Sequence, residues 1–533
     1  MINDFPHGAS EHHFSSSGEK EHQNNPAIKL FGLRFFADQS ALELLEELFL
    51  ILVSKKEIDN RCIDSYLPEL SFLQSWQYDK MVYYPQEKLN LKLFSFFGTS
   101  RLENRHRTHR QHCYELWNEI KRKMNTEEEK KDDALNMLID LFSGFWGNGS
   151  SRVWCAQNFL PFCKELLSGE IIWPSSGARD IETWQAALER FRYTQHLFLA
   201  RGGELLYLQL CNALSQSPET VGTWLKNTKR WEGLCQHERF PNELHQRLQK
   251  ALSMFFRETP NKLNELSRFI ENTGGSISDS DNSKCKITCG WCPVESWHEG
   301  YLFAVELLRI LEARIDLMEK VDLLQTACAM QLMRSLAAQS YRYHLEGRAE
   351  DGMDYRLLFS EIEEPNRKRK EISQTTLNDV CLAIYEALRI DTIKDAIPVG
   401  EREKRYKEAD NRYGHKLFVK IGKNNGLIVP KTGGKARFVL TEKLLRFFVI
   451  ALVPTHRMRL DRFRENIAQH FGFVFDECDL IHSPDWAQRS EQLDLNAERT
   501  TFLEKMLKAS GVLVTLSDSC SLVKNPFCQE AER

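Results

Sequence analysis

Three cysteines fall at x3 and x2 spacing in the run Cys285-Lys286-Ile287-Thr288-Cys289-Gly290-Trp291-Cys292, and His298 follows with five residues between. Thiolates and imidazoles are the ligands that a structural zinc takes in a closed tetrahedral site. On that reading Cys285, Cys289, Cys292 and His298 hold a zinc ion that tethers a loop to the helix behind it. The alternative is three thiols without metal, because free cysteine is among the most buried residue types. No Walker-type glycine-rich loop, His-Glu-x-x-His pair or nucleophile elbow appears elsewhere, so the cysteines are the only local signal for chemistry.

With Trp291 in the aromatic place, Cys-x3-Cys-x-aromatic-Cys resembles the cluster motif of radical S-adenosylmethionine enzymes. The resemblance implies an iron–sulfur cluster on Cys285, Cys289 and Cys292, with one iron open to the cosubstrate. The chain departs from that family in two ways. A long helical pattern follows the motif where βα units are expected, and Gly202-Gly203-Glu204 precedes the motif instead of following it.

The elements that must position these residues read as helices. The chain has 533 residues, 42% apolar and 27% charged, with a net charge of -4. That balance describes a folded protein of several domains and confines any nucleic-acid surface to a local patch, while the recurrence of apolar residues at three and four makes the chain mainly α. No run of eighteen apolar residues occurs, so no membrane partner is expected. Fourteen scattered cysteines and the lack of a basic-then-apolar opening predict a cytoplasmic protein without a signal peptide.

Residues 1–27 read as a mobile polar tail, and residues 28–274 as a helical N-terminal domain. In the latter, Ser40 caps a helix through Leu44, Leu45, Leu48 and Leu52. A basic cluster from Arg101 to Arg110 reads as a solvated helix face. His109 and Cys113, one turn apart, are expected on that surface. Residues 275–346 hold the cysteine loop and a helical pattern from Leu302 to His344 without Gly or Pro, which predicts one long central helix or two nearly collinear ones. Residues 347–374, with Pro365-Asn-Arg-Lys-Arg-Lys370, read as an exposed linker, and 375–400 as a helix.

Residues 401–528 form a basic module. Between 401 and 465 there are 17 Lys plus Arg against 7 Asp plus Glu. His415 to Ile421 and Leu427 to Val429 read as strands. Helices capped by Thr441, Asp461 and Asn496 follow, then a hairpin from Val512 to Lys524. This order of three helices and a hairpin resembles a winged helix-turn-helix. The long acidic segment between the second and third helices argues against base reading by the third. The cations expected on phosphates are Lys431, Lys435, Arg437, Arg457, Arg459, Arg462 and Arg464. The run Gly511 to Phe527 is also similar to the C-terminal ends of accessory proteins of bacterial anti-phage defence systems of the Druantia or DISARM kind. The resemblance implies an anti-phage defence setting with the other subunits of such a system as partners, and together with the basic face the expectation is a non-catalytic structural or nucleic-acid-binding subunit, DNA being one candidate partner. The alternatives are the iron–sulfur enzyme and a protein-docking scaffold without nucleic-acid contact.

Overall fold

The computed structural model describes residues 3–7, 25–37, 39–58, 60–76, 81–85, 88–96, 107–144, 164, 167, 171–172, 180–183, 186, 192–193, 201–258, 262–273, 286–344, 349–493, 501–517 and 520–528. The chain is mainly α. Four helices form its centre: α1 (Ala41–Val53), α2 (Gly202–Leu214), α3 (Trp297–Glu312) and α4 (Leu317–His344). Ser40 caps α1 as expected, its hydroxyl accepting from Glu43 N–H while the Glu43 carboxylate accepts from Ser40 N–H at 2.7 Å. Every residue of α2 is buried, and so is α3 from Trp297 to Leu311. Helices covered on all sides lie at the middle of a core, not on its surface. Close approach of α1 to α2 requires glycine at 203, where a Cβ would lie 2.3 Å from Glu47 Cβ and 2.4 Å from the Leu44 carbonyl oxygen.

The unbroken periodicity from Leu302 to His344 is not one rod. The chain breaks after Glu312, and α4 folds back antiparallel on α3, so that Glu299 meets Arg342 and Glu306 meets Arg334. Two interactions make the break, one local and one with the far end of the chain. Asp316 accepts from Glu319 N–H at 3.0 Å to cap α4, and Arg314 N–H donates to the Phe527 carbonyl at 2.7 Å.

Three expectations are corrected. Part of the expected tail is packed: Asp4–Phe5 pairs antiparallel with Cys292–Pro293, and the Pro26–Phe31 helix is largely buried, while residues 8–24 lie outside the described residues. The segment read as an exposed linker carries buried Leu357–Leu358, paired in parallel with Phe473–Val474, and the start of α5 (Arg367–Ala387). Its charge misleads because Arg369 is buried beside Glu364 at 3.3 Å and donates to the Phe359 carbonyl. The segment from His415, read as a strand, is the His415–Asn424 helix, with Leu417, Phe418 and Ile421 on its buried side.

The C-terminal elements are α6 (Glu442–Leu452), β1 (Arg457–Arg459), α7 (Leu460–Phe471), α8 (Phe502–Ala509), β2 (Leu513–Ser517) and β3 (Cys520–Lys524). Thr441 caps α6, and Gly472, at φ 76°, ends α7. Asn496 lies outside the described residues. The hairpin of β2 and β3 matches the expectation. β1 is the addition, and it makes an antiparallel sheet in the order β1–β3–β2. One cluster of buried apolar residues runs from Phe5 to Val523, so the core crosses every boundary suggested by composition.

Candidate functional site

Strands carry the cysteine loop. Ile287–Thr288 pairs with Val82–Tyr84, Cys289 N–H donates to the Met81 carbonyl at 2.8 Å, and Cys292 pairs with Phe5. Glu204, in the first turn of α2, holds the loop from inside. Its carboxylate accepts from Gly290 N–H at 2.5 Å and from the Tyr83 hydroxyl at 3.2 Å, with Arg201 at 3.7 Å. A Cβ at Gly290 would lie 2.7 Å from the Leu33 carbonyl oxygen, so only glycine lets the loop sit this close. Gly202-Gly203-Glu204 is thus a packing and clamping element.

Cys289 and Cys292 are 1% and 0% exposed. Burial pushes both thiols well above their ordinary pKa, and the Glu204 carboxylate adds to this at Cys289. Buried neutral thiols are poor nucleophiles. Both have Cys211 as an electrostatic neighbour, and Cys289 has Lys56 as well. The Lys56 ammonium donates to the Leu52, Ser54 and Ser65 carbonyls and so closes the C-terminal end of α1. The His298 ring stacks on Trp297 at 3.8 Å, and its Nδ1 pairs with the Glu295 carbonyl at 2.8 Å. Burial and the Arg342 cation lower its pKa to about 3, leaving it neutral at pH 7. Cys285 lies outside the described residues, and among those described no three His, Cys, Asp or Glu side chains are gathered as metal ligands. His109 and Cys113, expected on a helix surface, are both buried.

Sequence reading misses the charged interior. Arg334 donates to both Glu306 oxygens, at 2.7 and 3.0 Å, and to the His470 carbonyl, while His470 Nδ1 pairs with Glu306 at 2.8 Å. Arg309 meets Glu238 at 2.7 and 2.6 Å and the Ala451 carbonyl at 2.8 Å. Arg230 meets Asp351 at 2.7 Å and the Gln469 carbonyl at 2.9 Å, and Trp224 Nε1 also donates to Asp351. Arg342 pairs with Glu299 and donates to the Asp351 carbonyl. Burial disfavours the Glu306 and Glu238 carboxylates, but Arg334 with His470 at the first, and Arg309 with the Cys235 N–H and His237 at the second, hold both below the usual carboxylate range. A signal was present. Glu299, Glu306 and Arg309 recur at helical spacing inside an otherwise apolar run, and Arg334 and Arg342 do the same in α4. Each of these carboxylates is committed to an arginine and sealed from solvent.

The predicted phosphate-contacting cations separate into two groups. Arg437 is buried and donates to the Glu361 and Ile362 carbonyls, Arg464 is paired with Asp476, and Arg462 is paired with Glu465. Lys431 and Lys435 are exposed on the loop between Ile428–Val429 and Arg437–Phe438. Arg457 and Arg459 are exposed on β1, with Arg459 in an ion pair with Asp461 at 2.7 Å. The register places Arg457 directly opposite Lys524 of β3, and Arg459 opposite Leu522, which is itself opposite Val514 of β2. Directly opposite residues share a sheet face, and so do residues two apart. Arg457, Arg459 and Lys524 therefore lie on one face with Leu522 and Val514. Met458, Val523 and Leu513 lie on the other, against the core. Lys524 is the cation that sequence reading missed, because only the unforeseen strand β1 brings it beside Arg457.

No protein-family model, no curated protein and no solved structure matches the chain. Among the described residues, no helix is long and apolar enough to cross a membrane.

Proposed function

We propose that the chain is a non-catalytic, nucleic-acid-engaging subunit of a bacterial assembly, and that it contacts phosphates through the outer face of its C-terminal sheet. The observation that carries this is the cross-strand pair Arg457–Lys524, with Arg459 two residues along on the same face. Like charges directly opposite each other destabilise a sheet. A bridging anion removes that cost. In this reading α6, β1, α7, α8, β2 and β3 are the parts of a winged-helix-like module, supported by the first strand lying beside the last, with Phe473–Val474 and three short helices inserted between α7 and α8. Resemblance of the Gly511 to Phe527 run to accessory proteins of anti-phage defence systems supplies the biological setting.

The test is binding of a labelled DNA duplex, and of a single-stranded RNA, across a salt series. For B-DNA each phosphate contact adds about 0.9 to the slope of log affinity against log salt. Double charge reversal, Arg457→Glu with Lys524→Glu, is expected to reduce that slope by about 2 in magnitude. Arg462→Gln, at a cation already paired with Glu465, is expected to leave it unchanged. An unchanged slope in the double variant would reject the basic sheet face.

A further inference from the structure

The loop Pro430-Lys-Thr-Gly-Gly-Lys-Ala436 joins Ile428–Val429 to Arg437–Phe438. No Asp or Glu occurs between Asp410 and Glu442. Pro430 to Lys435 are exposed. Among the described residues nothing pairs with the Lys431 or Lys435 ammonium groups, and nothing hydrogen-bonds to the backbone from Lys431 to Ala436. A Cβ at Gly433 or Gly434 would have no atom within 4 Å, so the turn is open to an incoming group. Gly433, at φ 93°, and Lys435, at φ 59°, are left-handed, whereas Thr432 and Gly434 are not. Alternation of hand in a turn brings successive N–H groups to face one concavity suited to an anion. Glycine would hold φ 59° without strain, yet a lysine stands there. Arg437, at the neck of the loop, is 8% exposed and pairs with no carboxylate. One of its nitrogens donates to the Glu361 and Ile362 carbonyls, while its Nε has no partner. Burial disfavours its charge, and Glu364, the carboxylate that favours it, is committed to Arg369. A buried guanidinium without a counter-ion is costly, and an anion from outside relieves that cost.

We propose that this loop binds a phosphate group, received by the Lys431 and Lys435 ammonium groups and the N–H groups of the Gly433–Gly434 turn, with the Arg437 guanidinium as the fixed charge behind them. Phosphate suits this donor set better than carboxylate does. Its three acceptor oxygens meet several donors at once, and its charge of nearly two offsets most of three cations. A carboxylate would leave two of them uncompensated. Glu361 and Glu363, on the turn that Arg437 grips, repel an anion from that side, so it enters from the loop. The phosphate belongs either to a free oligophosphate or to a nucleic-acid backbone, and the recognising chemistry is the same. The site uses none of the residues of the C-terminal sheet face and does not rest on that reading.

Calorimetric titration of the full chain with pyrophosphate, and the salt slope for a DNA duplex, test the proposal. Pyrophosphate is expected to bind. Lys431→Gln with Lys435→Gln is expected to weaken it about tenfold or more, through loss of two charge-assisted donors. Lys404→Gln with Lys407→Gln removes the same charge from exposed lysines outside the loop and is expected to leave binding unchanged. Lys435→Gly is expected to weaken binding without lowering the melting temperature, because glycine accepts φ 59°. Binding of the duplex alone, with a slope smaller by about 2 in the loop variant, would assign the phosphate to a nucleic-acid backbone. Arg457→Glu with Lys524→Glu should still bind pyrophosphate, so failure of the sheet face is read separately. A loop variant no weaker than wild type toward both probes would overturn the proposal. Equal weakening by the Lys404 and Lys407 control would also overturn it, by making the effect one of net charge.

Discussion

Arg334→Met tests the account of the charged interior. The guanidinium is 1% exposed and holds both Glu306 oxygens, and with it gone the carboxylate is left in the core with only His470. Removing one partner of a buried pair costs about 3–5 kcal/mol, because the other charge is left uncompensated. Replacing both, with Glu306→Leu and Arg334→Met together, removes the stranded charge. What remains is the lost partner of the His470 ring, worth about 1–3 kcal/mol, and that of the His470 carbonyl, which the single variant loses too. The double variant should therefore be more stable than the single one. The pH dependence has a definite sign. In the single variant burial raises the Glu306 pKa with no arginine to oppose it, so folding favours the protonated acid. Stability is then fully present below the unfolded carboxyl pKa and is lost as pH rises through the raised folded value. The deficit relative to wild type should shrink from pH 8 to pH 5.5. Urea midpoints for the three proteins at both pH values supply the measurement. A single-variant deficit under about 1 kcal/mol, or a double variant worse than the single, would refute the reasoning.

Two further outcomes follow from the same interior. Burial lowers the His470 pKa to about 4 and the His298 pKa to about 3, so both rings fold neutral. A base whose folded pKa lies below its unfolded value loses stability as pH falls through the unfolded value, so the melting temperature should drop between about pH 6.5 and pH 4. His470→Gln, which keeps a hydrogen-bonding group, should flatten part of that drop, and an identical profile in this variant would count against His470 as a source. Gly203→Ala should cost about 1–3 kcal/mol or more, because the new methyl meets α1 backbone at 2.4 Å and 2.5 Å, where no flexible side chain can yield. A melting temperature within a degree of wild type would mean that α1 and α2 are not packed so closely.

Local patterns in the sequence identify the helices and several of their ends. Ser40 and Thr441 act where their types predict, since caps depend on hydrogen bonds within one turn, whereas Asp461 lies in the first turn of α7 and Arg459 holds the cap position. The break at residues 313–316 is invisible to periodicity. It depends on the Asp316 side chain and on a carbonyl at Phe527, far along the chain. The charged segment around Arg369 reads as solvent-exposed because composition cannot say that Glu364 and the Phe359 carbonyl are waiting for it. The same holds for the phosphate-contacting candidates. Arg437 and Arg464 find partners inside the protein, whereas Lys524 becomes a surface cation beside Arg457 only through strand pairing.

These misreadings share a cause that bears on function. Several of the buried arginines reach across from one part of the chain to another, and their targets are largely in or beside α6 and α7. Arg309 of α3 holds the Ala451 carbonyl, Arg334 of α4 holds that of His470, and Arg230 holds that of Gln469. Guanidinium groups with a carboxylate on one side and a carbonyl on the other leave little freedom at the junction. The helices flanking β1 are thus fixed to the rest of the chain at three points, two of them on the α3–α4 hairpin, rather than joined to it by a linker. A basic sheet mounted in this way presents its cations in a constant orientation, and contact with a phosphate backbone then costs little ordering of the module. The junction and the sheet face are separable by mutation. Substitutions at Arg334 should alter stability without changing the salt slope of nucleic-acid binding by the folded protein, whereas charge reversal at Arg457 and Lys524 should do the opposite.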